Sequence, residues 1–127
     1  MMRMFEKCTS LKSLYLSNFD TSSVKSFGQM FYGCTSLKYL DISNFYFDNY
    51  DYNNDWTNGN IFYNLAELEY INIYNVQDSK GFINNELNNK DGLYVCQKDN
   101  AFITNSNIIN KCFIQTTFPN NPRYADG

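Results

Sequence analysis

Residues 4–19 read Met-Phe-Glu-Lys-Cys-Thr-Ser-Leu-Lys-Ser-Leu-Tyr-Leu-Ser-Asn-Phe, and residues 30–45 read Met-Phe-Tyr-Gly-Cys-Thr-Ser-Leu-Lys-Tyr-Leu-Asp-Ile-Ser-Asn-Phe. Cys8 and Cys34 set the period, 34 − 8 = 26. A repeat of this length is one supersecondary unit. It cannot bury its apolar side alone and does so by stacking on its neighbours. The repeat therefore restricts the chain to a solenoid, and solenoids more often bind along an extended face than carry catalytic groups.

A third copy is readable at residues 61–76, where Leu68, Ile71 and Ile73 hold the apolar positions and Leu65 replaces the cysteine. Its offset from the second copy is 61 − 30 = 31, five more than the period. The extra length is assigned to a loop insertion at 46–60, whose Asp48-Asn49-Tyr50-Asp51-Tyr52-Asn53-Asn54-Asp55-Trp56 is polar and turn-rich. After Asp78 the repeat fades. The expected organisation is three repeat units over 1–79, a capping region over 80–117 that continues the sheet and closes the core, and a loose tail over 118–127.

Within a unit, Leu14 and Leu16 alternate with Tyr15, which predicts a short strand with the leucines inward. Stacked units would set these strands side by side in a parallel sheet. Val24, Phe27, Met30, Phe31 and Cys34 recur at spacings of 3 and 4, which predicts a short helix on the opposite face. Thr21, Ser22 or Ser23 can cap it. The expected fold is an α/β solenoid, with a parallel sheet on one face and short helices on the other.

The spacing L-x-x-L-x-L at this period looks like a leucine-rich repeat. The fuller pattern M-F-x-x-C-T-S-L-x-x-L-x-[LI]-S-N-F, with Phe19-Asp20-Thr21-Ser22 leading into the next unit, resembles the BspA-type leucine-rich repeat surface proteins of bacteria and protists. The resemblance covers residues 1–76. Phe19 and Phe45 stand where the common leucine-rich pattern has Asn or Cys, with Asn18 and Asn44 one residue earlier, which suggests a phenylalanine spine in place of an asparagine ladder. The resemblance implies a cell-surface or extracellular location and adhesion to host, matrix or cell-surface proteins, with carbohydrate as another class of partner. An intracellular leucine-rich repeat scaffold or regulator is the alternative. The phase of the repeat places Met1 inside a unit, and the expectation is that the chain is part of a longer protein.

Composition removes several function classes. The chain has no histidine, which takes away the commonest general base and the commonest transition-metal ligand. The four cysteines show no C-x-x-C spacing, so neither a metal site nor a cofactor is expected, and no catalytic constellation is present. A net charge of −3 without a basic cluster argues against nucleic acid as a partner. No apolar run approaches the roughly 20 residues of a membrane-spanning helix.

The outward strand positions form three columns across the sheet: Ser13, Tyr39, Tyr70; Tyr15, Asp41, Asn72; and Ser17, Ser43, Tyr74. Tyr15, Tyr39, Asp41, Tyr70, Asn72 and Tyr74 are the candidate binding face, because tyrosine combines a large rigid contact area with a polar tip. Equally, aromatics simply suit exposed strand positions. Tyr50, Tyr52 and Trp56 in the inserted loop are a candidate second contact. Asp48, Asp51 and Asp55 there lack the glycine and the terminal Glu of a calcium loop. Cys8 and Cys34 are read as stacked buried thiols. Cys96 and Cys112, at a separation of 112 − 96 = 16, could form a disulfide in an exported protein.

Overall fold

A computed structural model describes residues 3–51, 60–87, 90–98 and 103–113. Five short strands build one parallel sheet: β1 (Ser13–Tyr15), β2 (Tyr39–Asp41), β3 (Tyr70–Asn72), β4 (Tyr94–Cys96) and β5 (Ile109–Asn110). Each strand pairs with the next in the chain, so successive turns of the chain stack as coils. The pairing register, Leu14 with Leu40, Leu40 with Ile71 and Ile71 with Val95, coincides with the alignment of the repeats. Leu40, Ile71 and Val95 point inward and are fully buried, as strand alternation requires.

The opposite side of each repeat coil is not a helix. Residues 28–36 run as successive turns. The cause is a pair of left-handed residues in every copy: Arg3, Gln29 and Asn60 at one position (φ 59°, 54° and 48°), and Lys7, Gly33 and Asn64 four residues later (φ 58°, 75° and 63°). An α-helix of L-residues admits no such conformation. Amide-to-carbonyl bonds three residues apart, such as Met30 to Phe27 and Cys34 to Phe31, close tight turns and generate the 3-and-4 spacing that resembles a helical stripe. This side carries its own ladder between coils: the Phe5 and Lys7 amides donate to Met30 and Tyr32, and those of Phe31 and Gly33 to Ile61 and Tyr63. The backbone polar groups of each turn are thus satisfied by the neighbouring coil, as burial demands.

Gly33 is the residue suited to its conformation, and Lys7 in the equivalent position is not. Lys7→Gly is expected to raise the unfolding free energy by about 0.5–1 kcal/mol, and Gly33→Ala to lower it by about 1–2 kcal/mol, in urea titrations. Signs opposite to those expected would mean that Lys7 packing outweighs its backbone strain.

Aromatic rings fill the space between the two ladders. Phe5, Phe31 and Phe62 stack nearly parallel, with centroids 5.9 and 5.8 Å apart. Phe27 meets Phe45, Phe47 and Tyr50. The proposed phenylalanine spine holds only in part: Phe45 is buried, Phe19 on the first coil is exposed, and Val76 takes the third place. Asparagine contributes after all, since the Asn44 amide donates to the Ser17 carbonyl at 2.7 Å.

The fourth coil contains the one helix among the described residues, α1 (Phe82–Leu87). The Asp78 carboxylate accepts from the amides of Phe82 and Ile83, at 3.0 and 2.9 Å, and fixes its start. Ile83 and Leu87 enter the core. Where the first three coils place Leu16, Ile42 and Ile73, the fourth places Gln97. Its buried amide accepts from the Ile103 N–H (2.9 Å) and donates to the Ile103 carbonyl (3.2 Å) and to Asn110 Oδ1 (2.7 Å). An apolar residue there would leave the Ile103 backbone groups without these partners.

The insertion is shorter than the 46–60 expected. Tyr46 still bridges to Gln77, Phe47 is core, and the Asp51 amide donates to the Lys25 carbonyl, one full period earlier. The five extra residues therefore enter after Asp51 and before Ile61. The segment 52–59 and the tail 118–127 lie outside the described residues.

Candidate binding face

Alternation along β1 to β4 sends two columns outward: Ser13, Tyr39, Tyr70, Tyr94 and Ile109, then Tyr15, Asp41, Asn72 and Cys96. Two of the three expected columns fall where the sequence placed them and extend onto the later strands; the third, Ser17, Ser43 and Tyr74, lies in the turns past the strand ends, with Ser43 buried. The first column, however, is not an open face. Tyr39 and Tyr70 are only 4% and 6% exposed. They form a second small cluster with Cys96, packed by Tyr15, Tyr94 and Phe113. Phe113 makes T-shaped contacts with Tyr70 and with Tyr94, with both centroid distances 5.5 Å. A disulfide joins Cys96 on the sheet to Cys112, the residue before Phe113. Burial, reinforced by the nearby Glu69 carboxylate, pushes the Tyr39 hydroxyl above the usual tyrosine pKa, so it stays neutral.

Tyr15 is half-buried against this cluster, with its hydroxyl enclosed and part of its ring open, while Asp41, Asn72 and Tyr74 are more accessible. Asp41 and Asn72 are half-buried, and each side-chain Oδ1 accepts an amide two residues on, Ser43 at 2.9 Å and Tyr74 at 3.1 Å. These bonds end β2 and β3 alike and hold the two polar groups side by side. Tyr74, 43% exposed, stands at the rim, with the Lys98 ammonium 5.2 Å from its ring centroid.

The loop residues divide differently from expectation. Tyr50 is a core residue, 1% exposed, against Phe27 and Phe82, and not a surface contact. It occupies the place of Val24 in the preceding coil, which is the sequence signal for its inward position. Tyr52, Trp56 and Asp55 lie outside the described residues. Asp48 Oδ1 accepts the amide and hydroxyl of Ser79, at 2.8 and 2.7 Å, which holds the carboxyl below its usual pKa. It ties the second coil to the third. Among the described residues no three acids or cysteines converge as a metal site would require.

Cys34 is fully buried and its thiol donates to the Phe5 carbonyl at 2.9 Å. Desolvation pushes its pKa up and keeps it protonated, the opposite of an activated nucleophile. Cys8 is also free.

Residues 1–93 match a family described as Mycoplasma protein of unknown function, DUF285. The chain belongs to this family. No curated protein and no solved structure matches it. The DUF285 span takes in β1, β2, β3 and α1, while Gln97, the disulfide and Phe113 lie beyond it.

Two features escaped sequence reasoning. Tyr63, 57% exposed, stacks on Tyr32 at 5.2 Å on the side away from the sheet. The repeat alignment pairs these positions and could have found them. A groove of about 420 Å³ opens beside β3 and β4, lined by Leu68, Glu69, Lys90, Asp91 and Tyr94 among others. The Lys90 ammonium donates to the Leu65 carbonyl at 2.9 Å, and burial lowers its pKa. Lys90 lies outside the legible repeat, so nothing in the sequence marked it. Among the described residues, no helix is long and apolar enough to cross a membrane.

Proposed function

We propose that the chain is a leucine-rich repeat solenoid of the BspA type, working as a non-catalytic adhesion or protein-binding module of a cell-surface or secreted protein. The observation that carries this reading is the in-register array of Tyr15, Asp41 and Asn72, with Tyr74 beside it at the rim. In-register pairing from coil to coil sets an aromatic, an acid and an amide side by side on the sheet. That mixture suits a protein surface, where rigid aromatics supply contact area and neighbouring polar groups fix orientation.

The Cys96–Cys112 disulfide supports the extracellular location, because such bonds persist in oxidising compartments. It weighs against an intracellular scaffold. Buried Tyr39 and Tyr70 serve the fold more than a partner, so the contact is assigned to Tyr15, Asp41, Asn72 and Tyr74.

The test is a Tyr15→Ser/Tyr74→Ser double variant, run against immobilised fibronectin, collagen and a glycan array. Affinity for a protein retained by the parent chain is expected to fall by at least about tenfold, with far-ultraviolet circular dichroism unchanged. Full retention of binding would remove the face from the interaction. Binding confined to glycans would replace the protein partner by a carbohydrate.

A further inference from the structure

We infer that Phe113 is an internal occupant of an aromatic seat on the sheet, held there by the Cys96–Cys112 disulfide, and that reduction releases it and exposes Tyr70 and Tyr94.

The seat is made by Tyr70 and Tyr94, adjacent outward positions on β3 and β4, and Phe113 makes an edge-to-face contact with each, at interplanar angles of 77° and 68°. Edge-to-face contacts of this kind are a favoured aromatic geometry, and they specify the occupant as a flat ring. The Lys111 ammonium lies over the Phe113 ring, 5.3 Å from its centroid. Cys96 is buried under the arm, whereas Cys112 is exposed, so an incoming thiolate reaches the Cys112 sulfur first.

Release is local because the backbone just before the arm is held independently. The Ile109 and Lys111 amides donate to Leu93 and Val95, and Ile108 enters the core. Loss of the disulfide therefore frees Cys112 and Phe113 and leaves β5 in place. The step balances with a dithiol reductant. A thiolate of the reductant attacks Cys112 and expels Cys96 as thiolate. The second reductant thiol then closes its own disulfide and expels Cys112, and both protein sulfurs take up protons. Two electrons pass from the dithiol to the protein.

Tyrosine nitration with peptide mapping tests this without any partner. In the oxidised chain, Tyr74 is modified while Tyr70 and Tyr94 are protected. After dithiothreitol and blocking of the thiols with iodoacetamide, modification of Tyr70 and Tyr94 is expected to rise by about tenfold, with core Tyr50 still protected. Phe113→Ala, which retains the disulfide, is expected to expose the same two residues before reduction. Continued protection of Tyr70 and Tyr94 in the reduced chain would overturn the inference. So would exposure of Tyr50 together with them, since that reports unfolding of the coils. Because no ligand enters the assay, these results are independent of whether Tyr15 and Tyr74 bind a partner.

Discussion

Phe31→Ala is expected to lower the unfolding free energy by about 3–5 kcal/mol, more than any other single substitution considered for this chain. Phe31 is fully buried and sits between Phe5 and Phe62 in the ring stack that crosses three coils. Truncation removes the ring's transfer free energy and leaves a void. The void cannot close easily, because ladders on both sides fix the spacing of the coils. Small domains are stable by only about 5–15 kcal/mol, so the variant would lose a large share of the total. Phe5→Ala should lose less, since Phe5 is only half-buried. Urea titration of both variants checks this. A loss at Phe31 below about 1 kcal/mol would mean that the coils close over the gap and the stack is not a continuous core.

Glu86→Ala is expected to remove about 3 kcal/mol, through the backbone of the third coil rather than through α1 itself. In the first two coils, Phe5 and Phe31 donate their amides to carbonyls of the following coil. At the third coil the following segment is helical, and its carbonyls serve α1. The Glu86 carboxylate takes their place. Its two oxygens accept the amides of Ile61 and Phe62, at 3.2 and 2.9 Å. Hydrogen bonds to a charged acceptor contribute about 1.5–3 kcal/mol each, and alanine leaves two half-buried amides without this carboxylate. Glu86→Gln keeps one oxygen and should fall between. Hydrogen exchange at Ile61 and Phe62 supplies the direct readout: protection of both amides in the alanine variant would show that another acceptor replaces the carboxylate.

The register of the sheet was legible because the repeat copies itself at every inward position. Once Leu14, Leu40 and Ile71 are aligned, the outward columns follow from strand alternation alone. The turns opposite the sheet were misread because tight three-residue closures and an α-helix space apolar residues alike. The distinguishing marks were Gly33, Asn60 and Asn64, residue types that tolerate the left-handed conformation, but Lys7 and Gln29 in equivalent places conceal the pattern. The covering of Tyr39 and Tyr70 had no local signal at all. Phe113, which packs on Tyr70 and Tyr94, lies far along the chain, beyond the last copy of the repeat. Glu86 was hidden for a related reason, since its role depends on the one coil where the repeat gives way to a helix.

The position of the five extra residues has an evolutionary consequence. Register is kept on either side of them, with Asp51 donating to Lys25 before the insertion and Phe31 donating to Ile61 after it. The added length between residues 51 and 60 therefore shifts the pairing on neither side. Substitutions in the Phe31 stack or in the left-handed turns are propagated to neighbouring coils, whereas added length there stays with one coil. Length added between residues 51 and 60 is therefore compatible with an unchanged sheet, the usual way in which repeat proteins absorb insertions.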